Sequence, residues 1–426
     1  MIHKQFKHIK TISDISEYEL KSNGLKVLYK RIPDTGVITT NITYLVGARD
    51  EAVGETGIAH MLEHMLFKPT KQDKKRKQES DSMKFERETG SILNANTWKD
   101  RTTYYFSYSA EHFSRALRIE AERMRDVLLI DKEFQPERTN VLSEFDMNNG
   151  DPEFALSVAM VSTAFFSHPY GHETIGFRED IESYTVEKLQ NFYNHYYRPN
   201  NATLMVVGDV DLKTALDEIV KFFNDIKPEP KVNVRPVVKE PKQEGIRRIE
   251  IVRAGTKNIL SFGIKHEGFP TDAWFETAVA LRLLAGGPDS LLQKELVDTG
   301  LVSTVSYMQE PTKDTNIAML TLTLSDKLNH QEAEKKVLEL VVGIDEAWIK
   351  KYLRTVVIKA VNSELFGRDS SLDIVGELTE YVSAGDWSVY FDTEKILKKI
   401  TVKKIQKLLP MMFAENNLTI GVYKSV

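Results

Sequence analysis

Three side chains in one short stretch could do chemistry together: His60, Glu63 and His64, within Gly57-Ile58-Ala59-His60-Met61-Leu62-Glu63-His64-Met65-Leu66-Phe67. On a helix, positions i, i+3 and i+4 fall on one face, so the three project together. Two imidazoles one turn apart can chelate zinc, and a carboxylate between them can sit beside a metal-held water. Ile58, Met61, Leu62 and Met65 supply the buried side of the same helix. Taken alone, the His-x-x-Glu-His pattern is equally compatible with an ordinary hydrogen-bonded or half-exposed histidine pair. The chain has no cysteine, so a metal site must use histidine and carboxylate.

A catalytic zinc needs a third protein ligand and an open position. The helix expected at 133–148 offers Glu137 and Glu144, seven residues apart and so on one face. Glu144 stands amid Val141, Leu142 and Phe145, an apolar setting where a bare carboxylate is costly. The competing reading is an exposed acidic helix face, which suits Glu133 and Asp146.

The elements that must position these groups follow from pattern. Tyr18 to Leu20 and Leu25 to Tyr29 flank Asn23-Gly24, a hairpin signal, and Val37 to Val46 alternates as a β-branched strand. The basic run at 71–77 reads as a solvated loop. Asn94-Ala95-Asn96-Thr97 leads into the strand signal at 102–108, helices are expected at 110–129, 133–148 and 185–197, and a strand at 202–208. Gly286-Gly287-Pro288 marks a break. Thr185-Val186-Glu187-Lys188-Leu189-Gln190 is echoed by Thr401-Val402-Lys403-Lys404-Ile405-Gln406, and Asn200-Asn201 and Asn416-Asn417 each precede a strand at the same distance. The chain therefore reads as α+β: a zinc-motif domain over 1–228, a Pro- and Lys-rich linker over 229–246, and a homologous domain without the motif over 247–426.

At 426 residues, two domains are expected. Apolar content of 41% and charged content of 28% describe an ordinary globular protein, and a net charge of −5 argues against a phosphate-driven nucleic-acid partner. No apolar run reaches membrane-spanning length. The first residues lack an apolar export core, so the sequence as numbered reads as cytoplasmic, with a periplasmic location open if a signal was removed.

In these pieces the chain resembles the pitrilysin/insulysin-type zinc peptidases with the inverted His-x-x-Glu-His motif, closest to the mitochondrial-processing-peptidase-like branch and its bacterial relatives. The matching pieces are Gly47 to Glu51, Gly57 to Lys68, Leu93-Asn94-Ala95 with Thr97, Glu137 followed by Glu144, His168-Pro169-Tyr170-Gly171, and Ala285 to Leu296. The resemblance implies two duplicated mixed sheets covered by helices, a LuxS/MPP-like metallohydrolase architecture. It implies one Zn2+ per chain on His60, His64 and Glu144, Glu63 as the base that activates water, and Glu137 as a supporting carboxylate. It also places Asn94, Ala95, Asn96 and Thr97 on an edge strand where a peptide substrate adds as a further strand.

One departure stands out. Active members of the resembled family carry an Arg and a Tyr in the second domain. Here Val297 stands at the Arg position and Ser303 or Thr304 at the Tyr position; Tyr307 is the nearest aromatic, with no arginine beside it in sequence. The reading is a metalloendopeptidase subunit needing a homologous partner that supplies the pair, as a heterodimer. The rivals are a self-sufficient homodimer and a non-catalytic structural subunit of the kind found in respiratory complexes.

Overall fold

The computed structural model describes residues 3–230 and 239–426. The expected linker thus lies partly outside the described residues. The strands are β1 (Phe6–Ile12), β2 (Ile15–Leu20), β3 (Lys26–Arg31), β4 (Val37–Tyr44), β5 (Ile92–Thr97), β6 (Thr102–Ser109), β7 (Ala202–Gly208), β8 (Arg247–Arg253), β9 (Ile259–His266), β10 (Val302–Met308), β11 (Asn316–Leu324) and β12 (Leu418–Ser425). The helices are α1 (Ile58–Met65), α2 (Lys71–Arg76), α3 (Asp81–Thr89), α4 (Phe113–Arg125), α5 (Asp131–Gly150), α6 (Pro152–Ala164), α7 (Arg178–Ser183), α8 (Val186–Tyr196), α9 (Leu212–Phe223), α10 (Asp272–Ala285), α11 (His330–Val342), α12 (Glu346–Phe366), α13 (Ser371–Ala384), α14 (Thr393–Lys398) and α15 (Val402–Met412).

The fold is α+β, with two mixed sheets covered by helices. One sheet runs β1-β2-β3-β7-β4-β6-β5, the other β10-β11-β9-β12-β8. Reversing the second gives β8-β12-β9-β11-β10, which matches β3-β7-β4-β6-β5 strand for strand. Pairing direction agrees as well. β7 is parallel to β3 and antiparallel to β4, and β12 is parallel to β8 and antiparallel to β9.

The repeated sequence explains the repeated geometry. Thr185 and Thr401 cap α8 and α15, each hydroxyl accepting from the backbone N–H three residues on. At the other end, the Asn201 amide donates to the carbonyls of Tyr196 (3.0 Å) and Leu45 (3.4 Å). Asn417 donates to the matching pair, Met412 (3.0 Å) and Lys265 (3.1 Å). In both copies one asparagine ties a helix end to the end of the neighbouring strand.

The chain forms two compact units. The described residues within Met1–Phe145, Thr174–Pro236 and Gly367–Ser388 make one; those within Asp146–Glu173, Val237–Phe366 and Val389–Val426 make the other. Each unit takes one segment from the opposite half of the sequence, a feature absent from a simple division along the chain. In the first unit α13 lies on β4, β6 and β7. In the second, Leu156, Met160 and Val161 of α6 pack on Ile259, Ile317 and Tyr423. Gly421 leaves room for this: a Cβ there would stand 2.5 Å from the Met160 sulfur.

One local expectation fails. The basic run at 71–77 contains helix α2 rather than a loop. Thr70 and Asp73 form a capping box that satisfies the first turn, and burial of Asp73 fixes it to the unit.

Candidate metal centre

Helix α1 starts where only glycine fits. Gly57 has φ +86°, and a Cβ there would approach the Ile175 carbonyl oxygen to 2.3 Å. The free N–H groups of this first turn are met by Glu51, whose carboxylate accepts from Gly57 N (2.7 Å) and Ala59 N (2.9 Å). Ile58, Met61, Leu62 and Met65 are wholly buried. Burying each such side chain contributes about 1.5–3 kcal/mol, so α1 is held firmly by its apolar face. The opposite face presents His60, Glu63 and His64.

Helix α5 brings Glu137 and Glu144 against that face. One ligating atom from each of His60, His64 and Glu144 lies within 4.8 Å of the others; among the described residues no other trio of this kind forms. The Glu144 carboxylate stands 3.9 Å from His60 Nε2 and 3.7 Å from His64 Nε2. Those gaps are too long for hydrogen bonds, yet they suit an ion held about 2 Å from each donor. Two nitrogens and one carboxylate are the donor set zinc accepts, so these residues fit the ion. Glu144 is 36% exposed, which corrects the expectation of an apolar setting. Helix α5 buries Phe134, Glu137 and Val141 and turns Glu144 partly to solvent.

The two histidines are held differently. His64 Nδ1 faces Glu137 Oε2 at 3.3 Å, while Glu137 also binds the Lys68 ammonium and accepts from Asn140 Nδ2 at 3.2 Å. Burial pushes the Glu137 carboxyl up, but Lys68, with His64 and Asn140, more than offsets it and holds the group below its usual range. Glu137 therefore faces the His64 ring as an anion. His60 has no such partner: its Nδ1 is buried without a hydrogen bond. Burial, helped by the neighbouring His64, lowers its pKa to about 3. A neutral imidazole is the form that ligates metal.

Glu63 stands half-buried beside them. Its Oε2 accepts the Thr97 hydroxyl at 2.6 Å. Burial raises its pKa, and the Thr97 bond offsets this only in part. That direction suits a proton acceptor working near neutrality.

Strand β5 carries Asn94, Ala95, Asn96 and Thr97 at the outer edge of its sheet, paired on one side with β6. Asn94 is exposed and its Oδ1 accepts from Ala95 N (2.8 Å). Asn96 Oδ1 accepts from Arg101. A groove of about 540 Å³ runs beside the strand, lined by Glu63, His64, Phe67, Met83, Leu93 and Asn94 among others. The structure thus brings His60, Glu63, His64, Glu137, Glu144 and Thr97 together, while His168 to Gly171 fall in the other unit. It adds Glu51, Lys68 and Arg101, which the reading of roles missed. Lys68 carried a signal, standing four residues after His64; Arg101 carried none.

In the other unit, Val297 closes a π-helical turn over Gln293–Val297, and Ser303 and Thr304 are exposed on edge strand β10. Tyr307 lies on the same strand. Burial pushes its phenol up, and the Arg282 guanidinium on α10 is near enough to oppose that push.

Comparison with known proteins gives two adjoining family matches. Residues 26–177 match Insulinase (Peptidase family M16), and residues 183–353 match the Peptidase M16 inactive domain. The chain is 28% identical over 403 residues to a zinc protease, PqqE, of Helicobacter pylori, covering 93% of this chain and 90% of that one. It is 26% identical over 219 residues to a probable mitochondrial-processing peptidase subunit beta of Arabidopsis thaliana, covering 51% and 40%. The crystal structure of a protease from Helicobacter pylori superposes with a TM-score of 0.89 at 28% identity, covering 99% of this chain and 100% of that one.

Proposed function

The chain belongs to peptidase family M16, a family of zinc proteases, and from that premise we propose that it is the zinc-carrying subunit of an endopeptidase acting on peptides or unfolded segments. The observation that carries this reading is the convergence of His60, His64 and Glu144 beside Glu63, next to an open-edged strand. Bound by those three residues, zinc supplies a Lewis acid that polarises a carbonyl and acidifies water. Glu63, held at one oxygen by Thr97, takes the proton at the other and returns it to the leaving amine. Glu137 fixes the His64 ring. The edge of β5 takes the substrate backbone, so side-chain preference is loose and falls to the groove walls.

On this reading 1–228 is the catalytic domain, 229–246 the linker and 247–426 its homologue. Val297 offers no charge and Ser303 has only a short hydroxyl in place of a phenol, which supports a homologous partner carrying an Arg and a Tyr. The second reading is a homodimer sufficient in itself, favoured by a tyrosine on β10, Tyr307, that feels the Arg282 charge. The test is peptide hydrolysis by the purified zinc-loaded chain, with and without a homologue from the same host. A chain that binds no zinc, or that cleaves nothing in either assay, would refute the proposal.

A further inference from the structure

We propose that Glu380 and Arg101 are positioning residues that hold the edge strand β5 in place for peptide binding, an inference that rests on the peptidase reading above. Helix α13 and the turn that follows it, from late in the sequence, are fastened to the rest of the first unit at three points. Ser371 Oγ meets Thr39 Oγ1 at 2.7 Å, Trp387 Nε1 donates to the buried Glu17 carboxylate at 2.8 Å, and Glu380 receives Arg101. The last contact is a fork: Arg101 Nε donates to one Glu380 oxygen at 3.2 Å and Nη2 to the other. The third nitrogen, Nη1, donates to Asn96 Oδ1. The Arg101 side chain is only 5% exposed.

The consequence follows from where Asn96 lies. An edge strand has neighbours on one side only, so half its backbone groups do nothing to fix it. A peptide that adds to such an edge binds through the backbone, and any looseness there subtracts from affinity and alignment. Arg101 supplies the missing restraint through a side chain, and Glu380 prevents Arg101 from turning away. The next residue, Thr97, holds Glu63. A continuous series of contacts therefore runs from Glu380 through Arg101 and the Asn96–Thr97 backbone to the proton-accepting carboxylate. A planar guanidinium can reach two partners in fixed directions; a lysine ammonium cannot.

An anchor serving only α13 would make the same ion pair, so the test must separate the two roles. Glu380→Gln, Arg101→Lys and Glu380→Gln/Asn96→Ala are made in the full-length zinc-loaded chain. Amide hydrogen exchange, thermal midpoint and zinc content are measured for each. Affinity for a fluorescein-labelled β-casein peptide is read in a Glu63→Gln background. Exchange at residues 94–97 should rise about tenfold in either single variant, and peptide binding should weaken by a similar factor. Zinc should stay at the parent level. Adding Asn96→Ala to Glu380→Gln should change neither measurement further, because both cut one series of contacts. Unchanged exchange at 94–97, an equal rise across β6 and β7, zinc loss, or additive effects would each overturn the proposal. Failure of the Glu63→Gln parent itself to bind peptide would count against the peptidase reading, whereas the exchange measurement judges the positioning role without peptide.

Discussion

Thr97 donates its hydroxyl to Glu63 Oε2 at 2.6 Å, so the carboxylate we propose as proton acceptor is tied to the strand we propose receives a peptide. The bond fixes the rotamer of a half-buried carboxylate and leaves its second oxygen to work. Glu63→Gln keeps the shape and the Thr97 contact but removes the acceptor. Zinc content should be unchanged while turnover falls by about 10²–10⁴-fold. Activity within a small factor of the parent would remove Glu63 from that role.

His60, His64 and Glu144 should together hold one zinc per chain. His64→Ala or Glu144→Ala should abolish tight binding, measured by metal analysis after dialysis. Stoichiometric zinc in either variant would show the ligand set to be wrong.

Glu137 acts at one remove. Glu137→Gln should keep the fold but weaken zinc binding by about 10–100-fold, because the His64 ring loses an anionic partner. Competition with a chromophoric chelator gives the ratio, and equal affinities would leave Glu137 with no part in the site.

The metal-free chain should lose stability in mild acid. His60 has a folded pKa of about 3 against 6.5 for the free side chain. Between those values the unfolded chain takes up a proton that the folded chain refuses, so stability present above pH 6.5 is lost as pH falls towards 3. Thermal midpoints of the chelator-treated parent should therefore drop more steeply between pH 7 and 5 than those of His60→Asn. Parallel curves would contradict the buried neutral imidazole.

The isolated chain should cleave peptides poorly and gain activity with a homologue that carries the Arg and Tyr pair. Loss of one oxyanion donor costs roughly 10²–10³-fold, which sets the scale of the expected gain. Full activity alone, abolished by Tyr307→Phe, would favour the homodimer.

What the sequence made legible was whatever repeats at short range. His60, Glu63 and His64 share the period of a helix, Glu137 and Glu144 stand two turns apart, and the Thr caps and Asn-Asn pairs mark the duplication. Helix α2 was legible in principle through Thr70 and Asp73, but the density of lysines around them pointed to a loop. Arg101 and Glu380 lie 279 residues apart, and no local pattern joins them. The same holds for Arg282, whose charge acts on Tyr307 only because α10 folds against the strand that follows it. Contacts set by tertiary packing leave no trace in spacing.

The placement of residues 367–388 in the first unit has a consequence for how the protein is made. Thr39, Arg101 and Glu17 emerge from the ribosome early, yet their partners Ser371, Glu380 and Trp387 follow 279 to 370 residues later. At about 5–20 residues per second, the nascent chain waits many seconds with one face of its first sheet uncovered. Such long-range closure is slow and leaves apolar surface open to aggregation. The zinc-motif half is thus translated first but completed late, since the helix that covers this face of its sheet exists only once residues 371–384 have been made.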